Sequence, residues 1–293
     1  MPGSLSRSGA RVRPPSLPSA GSPPECAASP LLGADDPPAY ELHHPTGRRP
    51  WLLVCDHASR AIPASLHRLG LPIEATWRHI AYDIGAAELA RALARRLDAP
   101  AVLAGYSRLV VDCNRRLEDA TAFTLHGDGH RIAGNENLDN AERVRRAAAC
   151  YEPYHAAIAT RLDAIEACGE VPVLIAIHSF TPVFGGQARP WHVGVLWDER
   201  DDRIARPLLA HLRGERSLVV GDNQPYSGRY PGDYTVWRHA GERARPTVCL
   251  EIRQDLLLTP AGILEWTLRL AAAFETVLAD PATHAACQRE ADV

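Results

Sequence analysis

The sequence predicts one α/β domain on a largely parallel or mixed sheet covered on both faces. Short apolar runs recur along the chain, and longer segments with apolar residues at helical spacing lie between them. Alternation of the two is the pattern of buried strands joined by crossover helices. No internal repeat interrupts it.

Trp51 to Cys55 is the first buried-strand run. A helix follows from Gly85 to Leu97, with Leu89, Leu93 and Leu97 on one face. Pro100 to Ala104 and Arg108 to Val111 read as the next strands. Residues 140–168 read as helix through Val144, Ala148, Tyr151, Ile158, Leu162 and Ile165, with Pro153 marking a kink or break. Val171 to Ile177, His192 to Leu196, Ser217 to Val220 and Thr247 to Ile252 read as strands, and residues 201–213 as helix. The final helix has Thr259 as N-cap, Pro260 in its first turn, and an apolar stripe of Ile263, Trp266, Leu270, Phe274 and Val277. Residues 1–38 carry three Pro-Pro pairs among Ser, Gly and Ala. They bury too little apolar surface to offset ordering entropy, so a disordered tail is expected there. The domain then spans residues 39–280, and residues 281–293 form a C-terminal tail that frays or closes in a short helix.

Composition narrows the function. The chain has 293 residues, 46% hydrophobic and 23% charged, with net charge −3. That near-neutral balance argues against nucleic acid or an anionic membrane as the main partner. No apolar run reaches the roughly 18–20 residues of a membrane helix. All 32 basic residues are arginine, which removes Schiff-base chemistry and the phosphate-loop lysine. No GxGxxG or GxxxxGK[ST] run supports a nucleotide either. The seven cysteines (Cys26, Cys55, Cys113, Cys150, Cys168, Cys249 and Cys287) are scattered without a CxxC pair, as reduced thiols of a cytoplasmic protein are. The N-terminal stretch has no apolar core of a signal peptide, so a cytoplasmic location is expected.

Polar residues follow the apolar runs abruptly, and in open α/β sheets functional groups gather at the carboxyl ends of strands. Asp56-His57-Ala58-Ser59-Arg60 follows the first strand, Asp112-Cys113-Asn114-Arg115-Arg116 the run 108–111, and His178-Ser179 the run 171–177. Glu251 to Asp255 ends the last strand, and His79 to Gly85 precedes the first helix. Two histidines and a carboxylate suit a catalytic zinc site, which keeps a position open for water. His57 and His178 are the candidates. Asp83 is the preferred third ligand, because His79 and Asp83 would share a helix face if the helix began early. Asp56 and His79 remain alternatives. Glu251 lies among apolar residues, and burial moves a carboxyl toward the range of a general base; the competing assignment is an ion pair with Arg253. Asn114 and Arg115 offer an amide and a guanidinium fork for a substrate carboxylate, with a salt bridge to Asp112 or Glu118 as the competing assignment. Arg108 and Arg253 are further members of such a clamp. Ser179 lies in no GxSxG elbow. Residues 223–233 form a long Gly/Pro-containing loop, either over the site or a surface excursion.

These clusters resemble the N-formylglutamate amidohydrolase family. The resemblance rests on Cys55-Asp56-His57-Ala58-Ser59 with Ile62-Pro63, and on His79-Ile-Ala-Tyr-Asp83-Ile-Gly85. Ser107-Arg108-Leu-Val-Val-Asp112-Cys-Asn114-Arg115, Ile177-His178-Ser179-Phe-Thr-Pro182 and Glu251-Ile-Arg253-Gln-Asp255 complete it over roughly residues 50–280. It implies a three-layer α/β/α sandwich, phosphorylase/hydrolase-like and related to the zinc carboxypeptidases, that hydrolyses an N-acyl amide bond. His57 and His178 match the metal ligands of those peptidases and Glu251 their base. Asp112 to Arg115 is similar to their carboxylate-recognition motif. Arg60 stands where they carry a glutamate ligand, which leads to Asp83 instead. The expected function is a zinc-dependent amidohydrolase releasing formate and an amino acid, with a small-molecule N-acyl amino acid as partner. The alternatives are a zinc hydrolase of another N-acyl amino acid or small peptide, and a metal-free carboxylate-binding protein.

Overall fold

The computed structural model describes residues 30–229 and 232–285. Its central sheet is built from β1 (Tyr40–His43), β2 (Trp51–Cys55), β3 (Ala101–Ala104), β4 (Val173–Phe180), β5 (Val193–Leu196), β6 (Val220–Asp222) and β7 (Thr247–Arg253). The strand order is β1-β3-β2-β4-β7-β5-β6. Strands β3, β2, β4 and β7 run parallel, whereas β1 is antiparallel to β3 and β5 to β7. This is the mostly parallel sheet of a three-layer α/β/α fold.

Side chains alternate across a strand, so one buried run feeds two cores. Trp51, Leu53, Cys55, Ile175, Ile177 and Leu250 pack with helices α1 (Ala86–Leu97), α4 (Ala205–Arg213) and α6 (Pro260–Val277). Leu52, Val54, Leu174, Ala176 and Cys249 face the opposite layer, formed by α3 (Glu152–Ala167) and α5 (Tyr234–His239). A smaller cluster of Leu69, Leu71, Ile80, Leu109 and Ile132 lies under the connecting loops.

Thr259 Oγ1 accepts from Gly262 N–H at 3.1 Å, with Pro260 in the first turn, so α6 starts where its cap signals place it. The 140–168 segment breaks into α2 (Asn140–Arg146) and α3 across a π-helical turn, Ala147–Tyr151, just ahead of Pro153. The helix expected over 201–213 begins only at Ala205.

Residues 108–111 are not a strand. The sheet edge beside β3 is taken by β1, and 108–111 instead forms turns, with Val110 N–H donating to Ser107 O. Residues 30–38, expected as part of the tail, are anchored: Leu31 is buried, Ser65 Oγ donates to Leu31 O (2.7 Å), and Asp36 accepts from Ala64 N–H (3.0 Å). Leu31 and Leu32 packed on the core, the Asp36 carboxylate, and hydrogen bonds from Ser65 to Leu31 O and from Tyr106 to Pro37 O thus hold a stretch whose composition argues for disorder. The rest of the expected tail, residues 1–29 with Cys26, and residues 286–293 with Cys287, lie outside the described residues. Among the described residues, no helix is long and apolar enough to cross a membrane.

Candidate active site

Sheet register assembles the site. On parallel strands β2 and β4, Val54 pairs with Ala176, and on β4 and β7, His178 pairs with Glu251. One residue past the end of β2, Asp56 carries its carboxylate to His178 Nε2 at 3.1 Å. Alternation puts Asp56, His178, Glu251 and, one pleat below, Cys249 on the α3/α5 side of the sheet. His57 sits on the turn just past β2, and its carbonyl accepts from Asp83 N–H at 2.9 Å. That contact brings the 79–85 segment to the strand end. Gly85 completes the turn into α1 at φ +80, where an added Cβ would meet Leu257 Cβ at 2.4 Å, so only glycine fits.

His57, Asp83 and His178 converge, with candidate ligand atoms all within 4.8 Å of one another. Asp83 Oδ2 is 2.8 Å from His178 Nδ1 and 3.4 Å from His57 Nδ1. The opposite nitrogens are also held: His57 Nε2 lies 2.8 Å from Asp112 Oδ1, and His178 Nε2 lies 3.1 Å from Asp56 Oδ2. Each imidazole is thus oriented by a carboxylate behind it, as in metal sites where an acid fixes the ligand's ring. Asp56 belongs to that outer support rather than to the convergent set. It also accepts from Tyr154 OH (2.9 Å) and Thr235 Oγ1 (2.6 Å). His79 lies apart, in an adjoining cleft with Thr121, Thr124 and His126. The segment 79–83 is a series of turns, so Asp83 reaches the site through the His57 contact and not through a shared helix face.

The charges in this cluster control one another. Burial raises the Asp56 carboxyl, but His178 outweighs it and holds the group at about 2. Burial likewise opposes ionisation of Asp83, yet both histidines keep it well below its ordinary value. His178 is raised far above the usual imidazole range, since Asp56 and Asp83 overcome its burial. Glu251 moves the other way. Its carboxyl is pushed up to about 8, mainly by burial, and its Oε2 has no hydrogen-bond partner. The expected competing ion pair is not made, because Arg253 pairs with Asp255 at 2.8 Å and does not line the cavity.

A cavity of about 360 Å³ opens in front of these groups, lined also by Arg108, Asn114, Arg115 and Tyr226. The two arginines differ. Arg108 is neutralised by Asp112 (2.9 Å) and Asp83 (3.7 Å). Arg115 instead donates to the carbonyls of Asn114 (2.8 Å) and Gly232 (3.4 Å), and among the described residues it forms no ion pair. Asn114 Oδ1 accepts from Thr235 N–H at 2.9 Å, which turns its NH₂ away from that bond. Ser179 Oγ donates to Ile84 O and takes no nucleophile's position. The 223–229 loop does cover the site. Gly194, paired with Glu251 across the sheet, lets Gln224 O come within 2.0 Å of where a Cβ would stand, and Tyr226 and Ser227 line the cavity. Asp56 and Asp112 as histidine supports, and Asp233, Cys249 and Tyr226 as lining groups, were not singled out as such by sequence reasoning. The adjacency Asp56-His57 and the start of the Asp112–Arg115 motif carried the only signal for the first two.

Behind the Asp112–Arg115 turn lies a buried histidine pair. His155 Nε2 donates to Cys113 O at 3.0 Å, since a carbonyl can only accept, so His155 Nδ1 accepts from His239 Nε2 at 2.9 Å. Burial keeps both neutral, lowering His155 to about 4 and His239 to about 3. The unfolded chain takes up these protons below about pH 6.5 and the folded chain does not. The pair's contribution is therefore intact above pH 6.5 and is lost as pH falls toward 4 and 3. At pH 5 the loss is about 2 kcal/mol per histidine. Denaturant midpoints at pH 7.5 and 5 should show His239→Gln losing less stability between them than wild type. An equal loss would mean that the pair is not held neutral.

The chain matches the family model for N-formylglutamate amidohydrolase over residues 49–258. It is similar to a gene product of Agrobacterium tumefaciens of known crystal structure, at 34% identity and TM-score 0.81, covering 85% of this chain and 98% of that one. It also shares its fold with N-formylglutamate amidohydrolase from Ralstonia eutropha JMP134, at 19% identity and TM-score 0.60, over 82% and 97% of the two chains. No curated protein matches it. With a mostly parallel α/β sheet and a family match over most of its folded length, this chain belongs to the N-formylglutamate amidohydrolase family.

Proposed function

We propose that the chain is a zinc-dependent amidohydrolase that cleaves an N-formyl, or closely related N-acyl, amino acid into the free acid and the amino acid. The observation that carries this reading is the grouping of two imidazole Nδ1 atoms and the Asp83 carboxylate beside a buried, unpartnered Glu251. Two nitrogens and one carboxylate, each ring backed by an acid, are a donor set that suits catalytic zinc. His57, Asp83 and His178 would hold the ion, which when bound supplies an acidified water and a polarised carbonyl.

Glu251 accepts the water's proton at its Oε2 and delivers it to the departing amine nitrogen. Its burial makes it a stronger base than a solvated carboxylate. Asp56 and Asp112 keep the imidazoles from turning. Arg115, fixed by two backbone carbonyls and forming no ion pair among the described residues, takes the substrate's α-carboxylate, and Asn114 adds an amide donor beside it. Arg108 has its charge spent on Asp112 and Asp83, and Arg253 lies outside the cavity. Support for a glutamate side chain therefore comes from the family rather than from a second unpaired cation at the site.

The test is a panel assayed with zinc-supplied protein: N-formylglutamate, its N-acetyl analogue, N-formyl amino acids with neutral side chains, and a dipeptide. Turnover of the N-formyl compounds well above the dipeptide is expected. Turnover of none of them contradicts the proposal.

A further inference from the structure

Asp233 is a second carboxyl group of the cavity with an unpartnered buried oxygen. Its Oδ1 accepts from Val236 N–H (3.2 Å) and so caps α5, whereas its Oδ2 has no hydrogen-bond partner. The residue is 5% exposed and lines the cavity with Asn114, Arg115, His178 and Glu251. Beside it, Cys249 offers a thiol, which is a weak donor. A buried carboxylate oxygen without a strong donor costs stability unless a ligand supplies one.

The position of Asp233 is fixed from two directions. Arg115 donates to the carbonyl of Gly232, the residue before Asp233, at 3.4 Å. On the other side, a carboxyl oxygen of Asp233 lies within 4.8 Å of a His178 ring nitrogen. Asp233 therefore stands between the guanidinium that takes the substrate's α-carboxylate and the histidine paired with Glu251, where the acyl carbon is attacked. In an N-acyl amino acid the atom between these two points is the amide nitrogen. It is bonded to the acyl carbon and lies about 2.5 Å from the carboxylate carbon.

We propose that Asp233 Oδ2 accepts a hydrogen bond from the N–H of the scissile amide, and that this contact makes the enzyme selective for secondary amides over N-alkylated ones. The proposal rests on the hydrolase reading above. Closing the substrate into the cavity strips water from its N–H, while the fold leaves Asp233 Oδ2 without a donor; each group satisfies the other. An amide nitrogen that carries a methyl group, or that is closed into a proline ring, has no hydrogen to give and sets carbon against the carboxylate.

The experiment compares N-formylglutamate and N-formylalanine with their N-methyl counterparts, using zinc-supplied wild type and Asp233→Asn. Asparagine keeps the shape of the side chain and an oxygen to cap Val236 N–H, but sets an NH₂ group where Oδ2 stood. It therefore removes the acceptor without making room for a methyl group. Asp233→Asn should lower kcat/KM for the N–H compounds by roughly 5- to 150-fold, the cost of leaving a buried donor unpaired. The N-methyl compounds should change far less, so the preference of wild type for N–H collapses while metal content stays the same. N-methyl compounds too slow to turn over are read as competitive inhibitors, whose Ki the substitution should leave in place while KM or kcat for the N–H compounds moves. Equal losses for both classes would reduce Asp233 to the cap of α5 and overturn the assignment. Wild type that hydrolyses both classes equally well overturns it too. Turnover of neither N–H compound by wild type refutes the hydrolase reading, and this assignment falls with it.

Discussion

Glu251→Gln is expected to lower kcat by about 10²–10⁴-fold, the range a positioned general base contributes, while metal content stays at the wild-type level. The glutamine keeps the shape of the side chain but has no basic oxygen for the water's proton. The size of the effect follows from the environment. Glu251 is paired on the sheet with His178, is buried, and has an Oε2 with no competing hydrogen bond, so that oxygen is free to take the proton. Steady-state kinetics with elemental analysis of the same samples checks it. A variant within about tenfold of wild type would remove Glu251 from the proton-transfer role.

Arg115→Ala is expected to lower kcat/KM by roughly 30- to 5 × 10³-fold, since losing one partner of a desolvated charge pair costs about 2–5 kcal/mol. Bound metal should be unaffected, because Arg115 touches neither histidine nor Asp83. Lysine at this position should recover only part of the loss: a point charge does not reproduce a guanidinium fork fixed by the carbonyls of Asn114 and Gly232. Equal effects of Arg108→Ala and Arg115→Ala on substrate binding would contradict the distinction drawn between them. Removing Arg108 should instead disturb Asp112 and Asp83, and so show first as weaker metal retention.

The layers of the fold were legible because buried strands and amphipathic helices write different periods, and because α6 carries its own start signal in Thr259-Pro260. The run 108–111 misled for a physical reason. Apolar residues in a short stretch report burial, and these residues are buried, but beneath loops rather than in the sheet, whose free edge β1 had taken. Residues 30–38 misled in the opposite direction, because the few anchors that fix them, Leu31 and Asp36 among them, are scattered through a proline-rich context. In the site, strand-end residues were readable: His57, His178 and Glu251 end up together because parallel strands stack their carboxyl ends. Asp83 was reached by the wrong route, a helix face that does not exist. Arg253 was misplaced because sequence position two residues past Glu251 does not reveal that the strand has ended and that Asp255 is within reach. Which nitrogen of each imidazole faces the cavity is invisible in sequence, since it depends on Asp56 and Asp112 standing behind the rings.

The central claim is that His57, Asp83 and His178 form one metal site. Metal content of the purified, zinc-supplied protein, by elemental analysis, tests it most directly, with His57→Ala and His178→Ala beside wild type. The account predicts tightly held zinc in wild type, lost from both variants although each still folds. Wild-type protein that holds no zinc after supply, or variants that hold as much as wild type, would contradict it.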